Sequence, residues 1–171
     1  MKKRSFPPVA GERPGVLILG SLPGEESLRQ QQYYAHPRNA FWPIMGELFG
    51  FDPALPYPER LERLTAAGVA LWDTIGAGRR EGSLDGNIRD AESNPVAALL
   101  EKFPSIGLIC CNGGKSFEEL KRSAPELFDR PALRIERLPS TSPAAAMYRY
   151  ADKLAAWRIV GEFLRKSGRN D

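Results

Sequence analysis

The amino-acid sequence predicts an α/β fold with three layers, α/β/α, around a central four-stranded parallel sheet. Four short apolar runs alternate with segments whose apolar residues recur at helical spacing. Each run is apolar throughout instead of alternating with polar residues, which is typical of strands covered on both faces. The sequence therefore predicts helices on both sides of the sheet.

The four predicted strands end in glycine, proline or polar residues. They are residues 15–20 (GVLILG), 69–75 (VALWDTI), 105–111 (SIGLICC) and 132–139 (ALRIERLP). The carboxyl ends of parallel strands meet at one edge of a sheet, where ligands of such folds bind. We therefore expect four loops to converge there: residues 20–25, 73–77, 112–115 and 139–143.

The predicted helices begin and end at recognisable signals. Gly68 ends the second helix, and Asn94 is expected to cap the third, with Pro95 in its first turn. The predicted helices cover residues 39–50, 59–68, 94–103, 114–128 and 140–168. Residues 76–94 are rich in glycine and charge and are predicted to form a long loop, a kind of segment that is often functional.

The last predicted helix starts in the segment STSPA. Ser142 is expected to cap it, Pro143 to occupy its first position, and Gly168 to lie past its end. A helix N-terminus also offers free N–H groups to an anion such as a phosphate. The hydroxyls of Ser140, Thr141 and Ser142 fit either a simple cap or a phosphate contact.

The composition is that of one ordinary globular domain. The chain has 171 residues, of which 42% are apolar and 26% charged. We expect a single domain over residues 1–171, with residues 1–13 as a flexible N-terminal arm. The sequence contains no apolar run of about 18 residues, so no membrane span is expected. The net charge of +3 permits nucleic-acid binding without demonstrating it.

The two cysteines, Cys110 and Cys111, are neighbours in one apolar run. Neighbouring cysteines are poorly placed for a structural disulfide, and the spacing of a zinc site or an iron–sulfur cluster is absent from the sequence. The sequence therefore predicts a cytoplasmic protein without a metal centre.

The strand-end residues allow more than one interpretation. The segment GSLPG, residues 20–24, fits a tight turn or a backbone that approaches a ligand closely, because glycine has no side chain. Asp73, Asn112 and Lys115 are either solvated loop residues or hydrogen-bonding groups for a ligand. His36, the only histidine, is interpreted as a structural hydrogen-bonder, because no serine or cysteine nucleophile motif accompanies it.

The segments GSLPGEESL and YYAHPRNAFW together resemble the first motif of the uracil-DNA glycosylase superfamily. The hypoxanthine-DNA (deoxyinosine) glycosylase branch is more fully similar, since it also shares LWDTI, REGSLDGNIRD and LPSTSPA. The mismatch-specific uracil/thymine-DNA glycosylases share the turn and the aromatic-Ala-His-Pro run. These blocks span residues 15–148, and their combination is specific.

The resemblance implies a DNA-repair enzyme that flips a deaminated base out of DNA and hydrolyses its bond to the sugar. An aromatic side chain at Tyr34 would stack on the flipped base. The base would be read by residues at the strand ends: Gly20, Ser21, Leu22, Asp73 and Asn112. The resemblance implies no cofactor and no metal, and a monomer acting on damaged or mismatched DNA. DNA contacts are expected from Ser140, Thr141, Ser142 and Lys115, with Met147 as a wedge, although helix packing would also explain Met147.

Two positions depart from the related branches. Leu22 stands where mismatch-specific enzymes carry an asparagine, and leucine cannot orient a water molecule. Asn39 is then the polar candidate for holding the nucleophilic water. Ser140 stands where other branches place His or Asn. These departures favour excision of hypoxanthine, with two alternatives left open: a uracil glycosylase for G:U mismatches, and a catalytically silent binder of damaged DNA.

Overall fold

The core of the molecule is a four-stranded sheet, seen in a computed structural model that describes residues 2–168. Its strands are β2 (Val16–Gly20), β3 (Val69–Asp73), β6 (Leu108–Asn112) and β7 (Arg134–Leu138). All four strands are parallel, in the order β3-β2-β6-β7. The predicted four-stranded parallel sheet is confirmed, and each predicted strand lies on an observed one.

Side chains alternate between the two faces of the sheet, so one strand serves two apolar layers. In β2, Val16 and Ile18 pack in one layer, and Leu17 and Leu19 pack in the other. The first layer includes residues of α2 (Phe41–Phe49), α3 (Tyr57–Ala67) and α6 (Tyr150–Lys166). The second includes residues of α4 (Val96–Lys102) and α5 (Gly114–Ser123). The three-layer α/β/α prediction is confirmed.

A second, antiparallel sheet was not predicted. It has the order β1-β4-β5 and consists of β1 (Lys2–Arg4), β4 (Ile75–Arg79) and β5 (Arg89–Ser93). The expected long loop over residues 76–94 is therefore wrong over much of its length. Only a short 3₁₀ turn, Asp85–Asn87, and its flanks connect the two strands. Charged residues in these strands face solvent, which hid the strand pattern in the sequence.

The flexible arm expected over residues 1–13 is also corrected, within the part of it that the structure describes. Residues 2–4 pair with residues 77–79 as the edge strand of the small sheet. Further along, Val9 exchanges backbone hydrogen bonds with Leu71, at 2.8 and 2.9 Å. Backbone hydrogen bonds thus hold this segment at residues 2–5 and at Val9, so it packs on the domain instead of hanging free.

Several helix boundaries differ from the prediction. Helix α6 begins at Tyr150, with Arg149 as its cap, so Ser142 and Pro143 do not start it. The cap position of α4 is Pro95, while the side chain of Asn94 donates to the carbonyl of Asp73 at 2.9 Å. The prediction that a helix ends at Gly68 is confirmed, since Gly68 follows the last residue of α3 and takes a left-handed backbone with φ of 96°.

Two short helical segments complete the description. Helix α1 (Glu25–Gln30) directly follows the GSLPG segment and was not predicted. The helix expected over residues 114–128 divides into α5 and a 3₁₀ turn at Pro125–Asp129, because Pro125 cannot continue an α-helix. Among residues 2–168, no helix is long and apolar enough to cross a membrane.

Candidate active site

A cavity of about 530 Å³ lies at the carboxyl ends of the parallel strands. Its wall combines the turn after β2, the segment before α2, the ends of β3 and β6, and the segment after β7. The predicted convergence of loops at this edge is confirmed. The lining residues are Gly20, Ser21, Leu22, Pro23, Gly24, Glu25, Glu26, Ser27, Tyr33, Tyr34, His36, Arg38, Asn39, Asp73, Arg80, Ser83, Asp85, Asn112, Ser140, Thr141, Ser142, Pro143 and Ala144.

Asp73, the last residue of β3, is a carboxylate at the base of this cavity. It is 3% exposed, and its Oδ2 atom has no hydrogen-bond partner among the described residues. The pKa of Asp73 is raised to about 7, mainly by burial and also by the negative charge of Asp85, while Arg80 opposes both effects. Both protonation states of Asp73 are therefore available near neutral pH.

Gly20 lies against this carboxylate. A β-carbon at Gly20 would come within 2.5 Å of Asp73 Oδ1 and 3.0 Å of the Tyr34 hydroxyl. No larger residue fits there without moving one of them, so glycine is required by close approach. The first residue of the GSLPG segment thus brings the turn, Asp73 and Tyr34 together.

Tyr34 takes a left-handed backbone, with φ of 57°, a conformation that non-glycine residues rarely adopt. Its ring stacks on Phe41, with centroids 4.0 Å apart and planes inclined by 23°. Burial raises the pKa of the Tyr34 phenol, and the charge of Asp73 raises it further. Asn112 lies close enough to lower that pKa, but the hydroxyl has no contact of hydrogen-bond geometry.

Three buried side-chain polar atoms lack a partner in the described part of the chain, and all three belong to residues that line this cavity. They are the Tyr34 hydroxyl, Asp73 Oδ2 and Arg80 Nε. Buried polar groups in folded proteins are nearly always hydrogen-bonded, because an unpaired one costs free energy. Their concentration at one cavity indicates a binding site for a polar ligand.

Asn39 lies in a tightly bonded turn at the cavity wall. Its Oδ1 accepts a hydrogen bond from the N–H of Phe41 at 2.9 Å, and its own N–H donates to the His36 carbonyl at 2.9 Å. Since Oδ1 is engaged, the amide group that remains for a ligand is the Nδ2 donor. His36 Nδ1 accepts from the N–H of Arg38 at 3.0 Å, in keeping with its interpretation as a structural hydrogen-bonder.

Leu22 contributes packing and no polar side-chain group. It is 6% exposed and packs with Ile75 and Ile88 in a small apolar cluster. Its carbonyl accepts a hydrogen bond from Arg80 at 3.1 Å. Arg80 and its partner Asp85 line the cavity, and sequence reasoning did not assign them a site role. Their signal was the charged, glycine-rich motif REGSLDG, which belonged to the shared blocks but pointed to no individual residue.

Asn112 and Thr141 lock the late segment to the end of β6. Asn112 Nδ2 donates to Thr141 Oγ1 at 3.0 Å, and the N–H of Thr141 donates to Asn112 Oδ1 at 2.9 Å. Both residues are buried. The amide of Asn112 is therefore bonded at both ends within the protein, which fits positioning of this segment better than the expected contact with a base.

The other predicted DNA contacts divide into two groups. Ser140 and Ser142 line the cavity, but their hydroxyls accept from backbone N–H groups of the same turn, at 3.2 Å each. The prediction that a helix N-terminus provides N–H groups beside these serines is wrong, because α6 starts at Tyr150. Lys115 does not line the cavity and lies 4.0 Å from Glu119 on its own helix.

Two large apolar side chains, Met147 and Leu84, are exposed in segments that also contribute residues to the cavity wall. Met147 is 81% exposed, so the alternative that it packs in a helix interface is wrong. Leu84, between the cavity residues Ser83 and Asp85, is 55% exposed and was missed by the sequence analysis. No group of three or more His, Cys, Asp or Glu residues that could hold a metal ion occurs in residues 2–168.

Comparisons with known proteins agree with this architecture. The family profile of the uracil DNA glycosylase superfamily matches residues 7–161. Two relatives, from Methanosarcina barkeri and Methanosarcina acetivorans, are named hypoxanthine DNA glycosylase. They are 46% and 45% identical over 119 residues, which is 69% of this chain and 75% of each relative.

A solved structure is similar over almost the whole chain. It is the solution NMR structure of a proposed uracil DNA glycosylase from Methanosarcina acetivorans, with 38% sequence identity and a TM-score of 0.82. The match covers 96% of this chain and 99% of the other. With the fold, the cavity and the sequence relationship in agreement, this chain belongs to the uracil DNA glycosylase superfamily.

Proposed function

We propose that this protein excises hypoxanthine from deoxyinosine in DNA. The hydroxyl of a water molecule bonds to C1′ of the sugar, the C1′–N9 bond breaks, and its electron pair leaves with the base. The released base takes up a proton, so the products are free hypoxanthine and an abasic site. The observation that carries this proposal is the unpartnered carboxyl oxygen of Asp73 in the cavity.

Asp73 would distinguish hypoxanthine from adenine. Hypoxanthine presents a ring N–H at its pairing edge, beside a carbonyl, whereas adenine presents a bare ring nitrogen beside an amine. An ionised carboxylate only accepts hydrogen bonds. It can therefore receive the N–H of hypoxanthine and would face the lone pair of adenine. An unpaired buried carboxylate costs several kcal/mol in order of magnitude, which is enough to exclude adenine.

The raised pKa of Asp73 makes this discrimination dependent on pH. A protonated carboxyl can donate to the bare nitrogen of adenine, whereas the ionised form cannot. With a pKa of about 7, the ionised fraction grows as the pH rises through neutrality. We therefore expect the preference for deoxyinosine over adenine to strengthen from pH 6 to pH 8.

Tyr34 is suited to stack on the flipped base. Phe41 covers one face of its ring, which holds the ring in place beneath the cavity. A flipped base would use the other face, and such stacking is sequence-tolerant, with a magnitude of roughly 1–3 kcal/mol per base. The rare left-handed backbone of Tyr34 supports this role, because strained residues concentrate at ligand sites.

Asn39 is the residue that we assign to the nucleophilic water. Its Oδ1 is held by the N–H of Phe41, which orients its Nδ2 group as a donor at the cavity wall. Hydrolysis through an oxocarbenium-like state requires a positioned water more than a strong base. The apolar side chain of Leu22 cannot supply that hydrogen bond, which leaves Asn39 in the role.

Uracil is the second candidate substrate, and the same observation supports it. Uracil also presents a ring N–H beside a carbonyl, so an ionised Asp73 would accept it equally well. Hypoxanthine is favoured because both relatives that share 45–46% identity carry that name. Uracil retains support from the similar solved structure, which is a proposed uracil DNA glycosylase.

The residues around the cavity also bear on how the protein handles the DNA strand. None of the cavity-lining residues is a lysine, so we propose base release without strand cleavage by a Schiff base. Met147 would enter the DNA as a wedge, with Ser140 and Ser142 near the backbone. We further propose a single-domain monomer that works in the cytoplasm. Cys110 and Cys111 are free and buried, which fits a reducing compartment.

A base-release assay tests the proposal directly. Duplexes that contain deoxyinosine, deoxyuridine, deoxyxanthosine or only normal bases are incubated with the protein, and released bases are identified by mass spectrometry. We expect hypoxanthine to be released fastest. Preferential release of uracil would show that uracil, and not hypoxanthine, is the main substrate. Tight binding of damaged duplexes without release of any base would support the alternative of a catalytically silent binder of damaged DNA.

A further inference from the structure

The segment Arg80–Asp85 runs alongside the turn Gly20–Gly24, and we call the first the clamp segment and the second the turn. Arg80 Nη2 donates to the carbonyls of Leu22 and Pro23, at 3.1 and 2.6 Å. Arg80 Nη1 donates to Asp85 Oδ1 at 3.1 Å, and Ser21 Oγ donates to the same oxygen at 2.6 Å. Two side chains of the clamp segment therefore hold three consecutive residues of the turn.

Ser83 extends this contact to the end of the turn. Its hydroxyl accepts a hydrogen bond from the N–H of Glu25 at 3.1 Å. A β-carbon at Gly24 would come within 3.0 Å of that hydroxyl, so the two segments touch without room for a side chain. The clamp segment thus contacts the turn from Ser21 to the start of α1.

These contacts decide which polar groups the turn can offer to a ligand. The carbonyl of Gly20 accepts from the N–H of Thr74 at 2.8 Å, and that of Ser21 from the N–H of Ile75 at 3.0 Å. Arg80 engages the next two carbonyls. Four successive carbonyls, from Gly20 to Pro23, are therefore bonded within the protein, so none of them needs a ligand as its partner.

The burial of Arg80 is unusual for an ion pair on a loop. Its side chain is only 1% exposed, beside Asp85 at 35%. Burial lowers the pKa of Arg80, and Asp85 is the main charge that opposes this effect. Burying a guanidinium is costly unless its hydrogen bonds are satisfied, and an apolar side chain would often be as stable. Stability alone therefore does not account for an arginine here.

A neighbouring pair provides the contrast. Arg79 and Asp90, on the adjoining strands, lie 3.4 Å apart, and their side chains are 56% and 70% exposed. Neither of these two residues lines the cavity. The same pair of residue types thus occurs twice within twelve residues, once on the surface and once in the wall of the cavity.

We propose that Arg80 and Asp85 are positioning residues for base excision: together they fix the turn against the flipped base. Arg80 holds the carbonyls of the turn, and Asp85 anchors Ser21 and orients the Arg80 guanidinium. The proposal concerns how the turn is held and is independent of which base the enzyme removes. It therefore stands or falls separately from the assignment of hypoxanthine.

The test uses single-turnover excision by the full chain, on whichever duplex the wild-type protein processes fastest. Arg80→Met keeps the length of the side chain and removes its hydrogen bonds, whereas Arg80→Lys keeps a charge that can reach part of the network. Asp85→Asn keeps shape and removes charge. Arg79→Met and Asp90→Asn are the matched controls. Each protein is assayed about 15 °C or more below its own melting temperature, so that every variant is folded during the measurement.

We expect Arg80→Met and Asp85→Asn to lower the maximal excision rate at least tenfold, with half-saturating enzyme concentration changed less than threefold. Arg80→Lys should recover part of the rate lost in Arg80→Met, and the two controls should match the wild type. A role in stability alone predicts lower melting temperatures with wild-type rates in the folded variants. That outcome, or equal losses in the Arg79 and Asp90 controls, overturns the proposal.

If Arg80→Met does not fold, Arg80→Lys and Asp85→Asn decide the question by the same rate criterion. If the wild-type protein excises none of the bases, the positioning role is overturned together with the activity on which it rests. Binding of undamaged duplex should be equal in the wild type and in the Arg80 and Asp85 variants, because these side chains act within the protein and not on the DNA backbone.

Discussion

The backbone of Gly20 and the carboxylate of Asp73 are in such close contact that a β-carbon at Gly20 would lie 2.5 Å from Asp73 Oδ1. The two residues end neighbouring parallel strands and are paired in register. This contact places a buried carboxylate directly behind the turn that lines the cavity. It makes Gly20 a sensitive probe of the site.

Gly20→Ala should abolish most activity while leaving a folded protein. The added methyl must displace Asp73 or the turn, and a misplacement of about 1 Å can cost on the order of a hundredfold in rate. Single-turnover excision measures the loss. Gly86→Ala is the control, because a β-carbon at Gly86 meets no atom within 4 Å. Equal rates for the two variants would show that the contact does not matter for catalysis.

Asp73→Asn should stabilise the protein at pH 8 and not at pH 4. The carboxyl has a pKa of about 7 in the folded chain, against an ordinary value of 3.8. Below both values the carboxyl is neutral in the folded and unfolded states, so no penalty arises. Between pH 3.8 and pH 7 the carboxyl ionises in the unfolded state and stays mostly protonated in the folded state, so the penalty grows over this range and is complete above pH 7, at about 4 kcal/mol.

Urea unfolding at the two pH values measures this effect. The asparagine variant should gain a few kcal/mol over the wild type at pH 8, and it should lose discrimination between deoxyinosine and other bases, because an amide can donate as well as accept. A stability difference that is the same at pH 4 and pH 8 would contradict the raised pKa. Wild-type excision and selectivity in both Asp73→Asn and Asp73→Ala would remove Asp73 from base reading.

Asn39→Ala should lower the single-turnover rate by about a hundredfold or more and keep affinity for deoxyinosine DNA. Because Oδ1 of Asn39 accepts from the N–H of Phe41, the alanine variant also loses about 1 kcal/mol of stability. Asn39→Ser separates the two effects, since its hydroxyl can accept from Phe41 but lacks the amide donor. A serine variant with wild-type rate would overturn the water-positioning role.

Tyr34→Ala should weaken binding to damaged duplex by roughly 1–3 kcal/mol, through lost stacking on the base. Tyr34→Phe should be mild, because the hydroxyl has no hydrogen-bond partner to lose within the described residues. Fluorescence anisotropy with damaged and undamaged duplexes measures both affinities. If the alanine variant keeps its preference for damage and only its melting temperature falls, Tyr34 is a core residue alone.

Met147→Ala should leave stability unchanged and weaken binding to damaged duplex, because its side chain is 81% exposed and has no packing to lose. Leu84→Ala tests the other exposed apolar residue beside the cavity in the same assay. 2-Aminopurine placed next to the damaged base reports unstacking. If neither variant alters binding or unstacking, neither side chain acts as a wedge.

Sequence reasoning was most accurate where one interaction dominates. Buried strands such as Val16–Gly20 are visible because every residue in them is apolar. The small sheet was missed because its strand Arg89–Ser93 is short, charged and mostly exposed, and because its edge strand Lys2–Arg4 pairs with Ile75–Arg79 from near the start of the chain. Local patterns do not carry such long-range pairings.

Predictions for the site were likewise accurate where sheet topology or a local motif places a residue, and inaccurate where distant contacts place it. The turn and Asp73 could be brought to one place by topology, since both adjoin strand ends, and Tyr34 and Asn39 were joined to them by the motif. The start of α6 was misplaced because Ser142 and Pro143 carry a strong capping signal, yet their segment is bonded into the Asn112–Thr141 contact instead. Arg80 could not be identified from the sequence, because the groups to which it donates hydrogen bonds are carbonyls of a different segment, the turn.

The buried cysteines leave the protein without a reactive thiol on its surface. Cys110 and Cys111 are the only two in the sequence, both are fully buried, and burial raises the pKa of Cys111 to about 12. Maleimide reagents need an accessible thiolate, so the native chain should resist labelling. A single Met147→Cys substitution would then accept one fluorophore at a defined position, with no native cysteine to remove first.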